Sequence, residues 1–165
     1  MVSKTPNQDP EDDEGVLYNK EYYETYNGEA YGRTENWLHF FDTIAKNIIK
    51  STDPKTVADV GCAYGLLVEC LHDLGVEASG FDISEYAVSQ ARSDIKQYLT
   101  VRSILEPLPR YYDLIVSIEV IEHLYEKDCD LAVKNMCAAA DKILLSTIPD
   151  DFDDPTHFNV QPPIY

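Results

Sequence analysis

Apolar positions change their period several times along the chain, and each change marks an element. From residue 34 to about 50, Trp37, Leu38, Phe41, Ile44, Ala45, Ile48 and Ile49 recur at helical spacing behind Thr34, a capping residue. This predicts a core-packing helix, with His39 beside the stripe and partly exposed. Residues 51–55, with Pro54, read as a loop into Thr56, Val57, Ala58 and Val60, the unbroken apolar run of a strand buried on both faces. A helix follows over 65–74, a strand over 77–81, and a helix from Glu85 to about Ile95 that Ser84 caps and Tyr86, Val88 and Ala91 pack. Residues 98–103 predict a third strand and the β-branched run 112–118 a fourth. A short helix over 121–127 leads to a longer one over 128–141, with Leu131, Val133, Met136 and Cys137 facing inward. Residues 142–148 make a fifth strand, which Pro149 stops. Five strands alternating with helices predict an α/β fold: a Rossmann-like, doubly wound, mostly parallel sheet with helices on both faces.

The flanks have another character. Residues 1–15 are polar, contain Pro6 and Pro10 and end in an acidic run, the composition of a disordered tail. Tyr18, Tyr22, Tyr23, Tyr26 and Tyr31 then crowd into a stretch closing on Gly32 and Arg33. Residues 16–50 thus read as a helical lid plus the first core helix, and 51–165 as the core. Two roles fit the tyrosines: walls of a pocket, or rings packed on the domain surface.

At 165 residues the chain is one domain. A net charge of −17 argues against a stable grip on nucleic acid or an anionic membrane, since either needs a basic face. It leaves neutral, cationic or protein-presented partners. Cys62, Cys70, Cys129 and Cys137 form no C-x-x-C pair and read as reduced core residues. No cationic, apolar leader and no bilayer-length apolar run is visible, so a cytoplasmic protein is expected.

Candidate chemistry centres on residues 56–67. Asp59 ends the first strand, and Gly61 and Gly65 allow a sharp turn that brings main chain against a ligand. The next helix aims its free N–H groups at the same place. Asp82, some twenty residues on, has the spacing of a carboxylate that binds a ribose diol. The turn reads D-x-G-x-x-x-G rather than the G-x-G-x-x-G of dinucleotide sites. The spacing therefore suits a nucleoside without a diphosphate and speaks against a nicotinamide oxidoreductase.

VADVGCAYG resembles motif I of class I S-adenosylmethionine-dependent methyltransferases, GFDIS their motif II, and DLIVSIEVIEHL their strand-four motif. All three occur in the family's order between residue 56 and about 149; Ala63 replaces a frequent second glycine. The resemblance implies S-adenosylmethionine as cofactor, held by Asp59, Gly61, Cys62, Ala63, Gly65 and Leu66. Asp82, Ile83 and Ser84 would surround its ribose and adenine, Ser103 or Ile104 would meet the adenine amino group, and Ser117, Ile118 and Glu119 would line the sheet's cofactor end. Tyr22 would lie against the cofactor, and Arg33 would pair with its methionine carboxylate. Family members continue past the fifth strand with a helix and two antiparallel strands. Those C-terminal strands are expected to be truncated here, or a second copy or partner chain to complete the sheet.

Methyl transfer from a sulfonium asks the protein mainly to place the acceptor and take its proton. His123 and His157 are the candidate bases. Glu119, Glu122 and His123, at i, i+3 and i+4, can share a helical face and, with His157, resemble the cation sites of small-RNA 2′-O-methyltransferases and ubiquinone-pathway catechol O-methyltransferases. The same E-V-I-E-H-L run is common in metal-free relatives, and magnesium prefers all-oxygen shells, so no metal is assigned. The expected function is methyl transfer to a small molecule, with the acceptor atom open. Family members with similar tyrosine-rich starts and a D-P-T-H-x-N-like end, which residues 154–159 resemble, are often associated with glycan or natural-product pathways. Alternatives are a cofactor-binding module without chemistry and a divalent-metal-assisted O-methyltransferase.

Overall fold

Val57, Ala58 and Val60 end up buried on alternate faces of β1 (Thr56–Val60), the central strand of a five-stranded sheet. In this computed structural model, residues 17–25, 31–149, 154 and 156–161 are described. The tail expected over 1–15, Tyr26 and residues 150–153 lie outside them. β2 (Glu77–Asp82), β3 (Leu99–Val101), β4 (Leu114–Ile118) and β5 (Ile143–Ser146) join β1 in the order β3-β2-β1-β4-β5, every pairing parallel. The strand order reverses between β1 and β4, and the crevice beyond their carboxyl ends is where open α/β sheets bind ligands.

Helices α1 (Lys20–Thr25), α2 (Glu35–Thr52), α3 (Leu66–Asp73), α4 (Glu85–Ser89) and α5 (Glu126–Ala139) accompany two 3₁₀ turns, Lys96–Tyr98 and Ile121–His123. On one face, Ala45 and Ile48 of α2 and Leu67, Val68 and Leu71 of α3 pack on Val57, Leu114 and Val116. On the other, Met136 and Ala139 of α5 pack on Ala58, Val60 and Ile115. Thr34 and Ser84 cap α2 and α4 as expected, accepting the Trp37 and Ala87 N–H.

Four elements differ from the sequence reading: the short helix expected over 121–127 is only a 3₁₀ turn, Ile121–His123, with the long helix starting at Glu126, and three others change as follows. α4 stops at Ser89 rather than near Ile95, because the Ser89 hydroxyl bonds back to the Tyr86 carbonyl and Arg92 is drawn to Glu69, Asp73 and Asp94. The third strand shrinks to Leu99–Val101, with 96–98 taken into a 3₁₀ turn. In α5 the inward positions are Ala132, Met136 and Ala139, while Leu131, Val133 and Cys137 are exposed. The buried positions of this helix are thus two alanines and one flexible methionine. Cys62 and Cys70 are buried thiols, as expected. Among the described residues, β5 pairs only with β4, and Leu144 and Leu145 are exposed on it. No described helix is long and apolar enough to cross a membrane.

Candidate active site

The turn after β1 is built from its glycines. Gly61 takes φ 78° and Gly65 φ 68°, while the Gly61 and Cys62 N–H both donate to the Phe81 carbonyl, at 2.7 and 3.1 Å, clamping the turn to β2. A Cβ on Gly61 would lie 2.2 Å from Val120 Cγ2, so β1 meets the β4 loop only because no side chain intervenes. Ala63 also sits in the left-handed region, at φ 46°, and its N–H donates to Asp82 Oδ2 at 2.7 Å. A left-handed alanine carries strain of about 1–2 kcal/mol. Ala63→Gly is therefore expected to raise stability by about 0.5–1 kcal/mol, or a few degrees in Tm, after the entropic cost of glycine. A lower Tm on calorimetry would show that the turn is relaxed.

Asp82, at the end of β2, is buried and accepts from both Ala63 N and Ser84 N, at 2.7 and 2.8 Å. Burial raises its carboxyl, and those two N–H groups pull it back. Asp59 is buried as well; desolvation first, and then the charge of Asp82, push it up to about 7.

These groups floor a cavity of about 290 Å³, near the lower end of small-molecule sites. Asp59, Gly61, Ala63, Asp82, Ile83, Ser103, Ile104, Ile118 and Glu119 line it, together with Tyr22 and His123. The remaining sequence-selected residues stand outside its lining. Cys62 and Leu66 are core. Gly65 opens α3, packed against Leu99. Ser84 caps α4 and donates to the Tyr18 carbonyl at 2.5 Å. Ser117 Oγ is buried with no hydrogen-bond partner among the described residues. Arg33, expected to meet a methionine carboxylate, instead grips both carboxylate oxygens of Glu69, a buried α3 residue that also pairs with Arg92. Desolvating Glu69 without these two cations would cost several kcal/mol, which explains the partnership.

The opposite wall is aromatic. Tyr18, Tyr22, Tyr23 and Tyr31 meet Trp37, Phe40 and Phe41 of α2, with ring centroids 5.2 Å apart for Tyr18–Tyr22 and 4.9 Å for Tyr31–Trp37. Both roles weighed for the tyrosines are realised. Tyr23 packs on Tyr64, Leu66 and Ala87, while Tyr18 and Tyr22 face the cavity beside it. The α2 aromatics escaped a reading that assigned the whole stripe to the core. Trp37, Phe40 and Phe41, crowded into its first two turns next to the tyrosine run, were the available signal.

At the mouth, Glu119 follows β4 in a left-handed conformation, φ 53°. It is held from β5, where Ser146 accepts its N–H and donates Oγ–H to its carboxylate. Glu122 and His123 follow in the 3₁₀ turn rather than on the helical face expected, yet the bend still brings them together. Glu122 is fully buried. Its Oε2 accepts from Thr147 Oγ1 at 3.0 Å, and Oε1 has no hydrogen-bond partner among the described residues. Burial, and then Glu119, raise its carboxyl. One ligand atom each from Glu122, His123 and His157 fall within 4.8 Å of one another, and the two rings lie 4.7 Å apart. Burial, then His157, lower the His123 pKa, so this imidazole is neutral near pH 7.

Among curated relatives, the chain is 33% identical over 85 residues to the ubiquinone biosynthesis O-methyltransferase of Nitrosomonas europaea, covering 47% of this chain and 36% of that enzyme. It is 28% identical over 106 residues to the enzyme of that name from Idiomarina loihiensis, covering 57% and 42%. The chain spans less than half the length of these relatives. Its fold is that of the magnesium protoporphyrin IX methyltransferase of Synechocystis PCC 6803, crystallised with bound S-adenosylmethionine, at TM-score 0.60, 16% identity and coverage of 81% and 75%. A methyltransferase from Archaeoglobus fulgidus also gives TM-score 0.60, at 19% identity and coverage of 77% and 64%. Residues 29–159 match the family model described as a methyltransferase domain. With that match spanning most of the chain, over a glycine turn and paired aspartates laid out as motifs I and II require, the chain belongs to the class I S-adenosylmethionine-dependent methyltransferase family.

Proposed function

We propose that this domain binds S-adenosylmethionine in the cavity beyond β1, β2 and β4 and methylates a small, neutral or cationic acceptor with an apolar body. One observation carries the reading: a single cavity joins a floor of Asp59, Gly61, Ala63 and Asp82 to an aromatic wall, with His123 in the same lining. The bound cofactor supplies a methyl group already activated by its sulfonium charge. Asp82 keeps lone pairs beyond those given to Ala63 and Ser84 and has the chemistry to accept from a ribose diol. The tyrosines and Trp37 exclude water and hold an apolar body, and neutral His123 can accept a hydroxyl proton. The net charge of −17 supports a neutral or cationic acceptor over a polyanion. Two curated relatives are named as O-methyltransferases, which favours oxygen as the accepting atom. The test is methylation of a panel of phenols, catechols, amines and sugars with labelled cofactor. Label passing to no member would leave a binding module.

Asp59 makes binding pH-dependent. A cationic ligand beside it favours the carboxylate, so a proton held near neutral pH leaves on binding. Affinity is expected to rise between about pH 6 and 8, and calorimetric heats at pH 7 to differ between phosphate and Tris by the buffers' ionisation enthalpies. Equal heats would mean that Asp59 does not change its protonation.

A second reading is favoured by the orphaned Oε1 of Glu122. Glu122, His123 and His157, with Glu119 adjacent, fit a divalent cation of the mixed nitrogen–oxygen kind, which would lower the pKa of an acceptor hydroxyl. Exhaustive chelation is then expected to cut methylation of catechols at least about 10-fold, with manganese or magnesium restoring it and cofactor affinity unchanged. Full turnover after chelation, and in Glu122→Ala, would leave the site metal-free.

A further inference from the structure

The segment after β5 returns to the site. The Asn159 N–H donates to the Glu122 carbonyl at 3.0 Å, the Asn159 side chain reaches Cys129 Sγ, and Phe158 stacks on Tyr125 with centroids 4.8 Å apart. Within this strap, Asp154 Oδ1 accepts two bonds from Thr156: its N–H at 2.8 Å and its Oγ1–H at 2.7 Å. The other Asp154 oxygen lies 3.8 Å from His157 Nε2. Thr156 in turn faces His123, whose Nδ1 lies 3.0 Å from Thr156 Oγ1 and 3.1 Å from the Thr156 carbonyl oxygen.

These contacts determine a proton. A carbonyl oxygen cannot donate, and the single hydroxyl proton of Thr156 is committed to the Asp154 carboxylate, an acceptor only. Both Thr156 oxygens therefore present lone pairs to His123 Nδ1, which must bring the hydrogen. We infer that Asp154 and Thr156 are positioning residues that hold neutral His123 as its Nδ1–H tautomer and so keep the lone pair on Nε2. The inference rests on the methyltransferase reading for its use: Nε2 is then the atom that takes the acceptor's proton or binds the cation. A free imidazole prefers the opposite tautomer, with its proton on Nε2 and no lone pair there. The strap reverses that preference, and the D-x-T spacing is what lets one carboxylate orient a hydroxyl two residues on.

The experiment is proton–nitrogen correlation NMR on protein with isotopically labelled histidine, at a pH where the ring is neutral, with His123→Gln assigning its signals. The expected result is a protonated Nδ1 and a bare Nε2 in the wild type, in Thr156→Ser and in Thr156→Val, which keeps the accepting carbonyl, and the appearance of the Nε2–H form in Asp154→Ala, where the Thr156 hydroxyl loses its acceptor and can donate to Nδ1. Far-ultraviolet circular dichroism and cofactor affinity within about 2-fold of wild type establish that the variants are folded. An Nε2–H ring in the wild type, or an unchanged Nδ1–H ring in Asp154→Ala, overturns the assignment. The NMR readout needs no turnover, so a protein that binds no cofactor yet shows the Nδ1–H ring refutes the methyltransferase reading and leaves the tautomer standing.

Discussion

Replacing Asp82 with alanine is expected to weaken S-adenosylmethionine binding by at least about 100-fold. A carboxylate that accepts from a ribose diol makes two charge-assisted bonds, each worth about 1.5–3 kcal/mol, and losing both exceeds the roughly 2.7 kcal/mol of a 100-fold change. The same substitution removes the acceptor of the Ala63 and Ser84 N–H groups, at about 1–3 kcal/mol for each left unsatisfied. Stability should therefore fall along with affinity. Asp82→Asn separates the effects in part: its amide oxygen can accept from only one of the two N–H groups, because Oδ2 serves Ala63 and Oδ1 serves Ser84, and the charge is gone. It should lose less stability than Asp82→Ala, about 1–3 kcal/mol for the one N–H left unsatisfied, and bind at least about 10-fold more weakly, because charged acceptors make the stronger bonds. Titration calorimetry on both variants, with unfolding followed in parallel, checks this. Affinity within about 3-fold of wild type in folded Asp82→Ala would remove the ribose from this carboxylate.

Gly61→Ala should be the most damaging single methyl in the chain, lowering stability by about 3 kcal/mol and Tm by roughly 6–12 °C. Part of this is conformational: alanine at φ 78° costs about 1–2 kcal/mol. The rest is collision. The new Cβ would lie 2.2 Å from Val120 Cγ2, and a β-branched neighbour cannot swing its methyl aside without moving backbone, at about 1–3 kcal/mol. Gly75→Ala supplies the control, since Gly75 has φ 84° with nothing within 4 Å of where a Cβ would stand, and so reports the conformational part alone. Adding Val120→Ala to Gly61→Ala should recover the difference between them. Chemical denaturation of the four proteins tests this; equal losses in Gly61→Ala and Gly75→Ala would show that β1 and the β4 loop are not in close contact.

Much of this was legible in the sequence, for a physical reason. Parallel strands buried on both faces write continuous apolar runs, and a turn that must bring backbone against a ligand writes glycines, so β1, β4 and the Gly61–Gly65 turn are visible without coordinates. Helix phase was less legible. α5 buries Ala132, Met136 and Ala139 while exposing Leu131 and Val133, so its buried face does not follow its most apolar residues. Pairings between distant residues were not legible at all. Arg33 was assigned to a ligand carboxylate, yet Glu69, a helix residue 36 positions away, had the stronger claim because it is buried and needs a cation. Nor does local pattern reveal that Phe40 and Phe41 of a core helix also wall the cavity, or that residues 154–159 fold back onto His123.

The arrangement at Glu119, Glu122 and His123 shows how the site depends on its surroundings. A non-glycine residue at φ 53° persists because β5 holds it on both sides, through the Ser146 carbonyl and hydroxyl. The kink turns the chain out of β4 and into the 3₁₀ turn, setting Glu122 inward and His123 against the cavity. β5 thus holds the residue from which the chain turns towards His123.

The central claim is that this cavity takes a sulfonium nucleoside. Isothermal titration of the purified chain with S-adenosylmethionine, and separately with S-adenosylhomocysteine, tests it most directly. The predicted result is saturable one-to-one binding of both, of micromolar order, lost for both in Asp82→Ala. Absence of heat and of any thermal shift with either ligand, in protein shown to be folded, would contradict it.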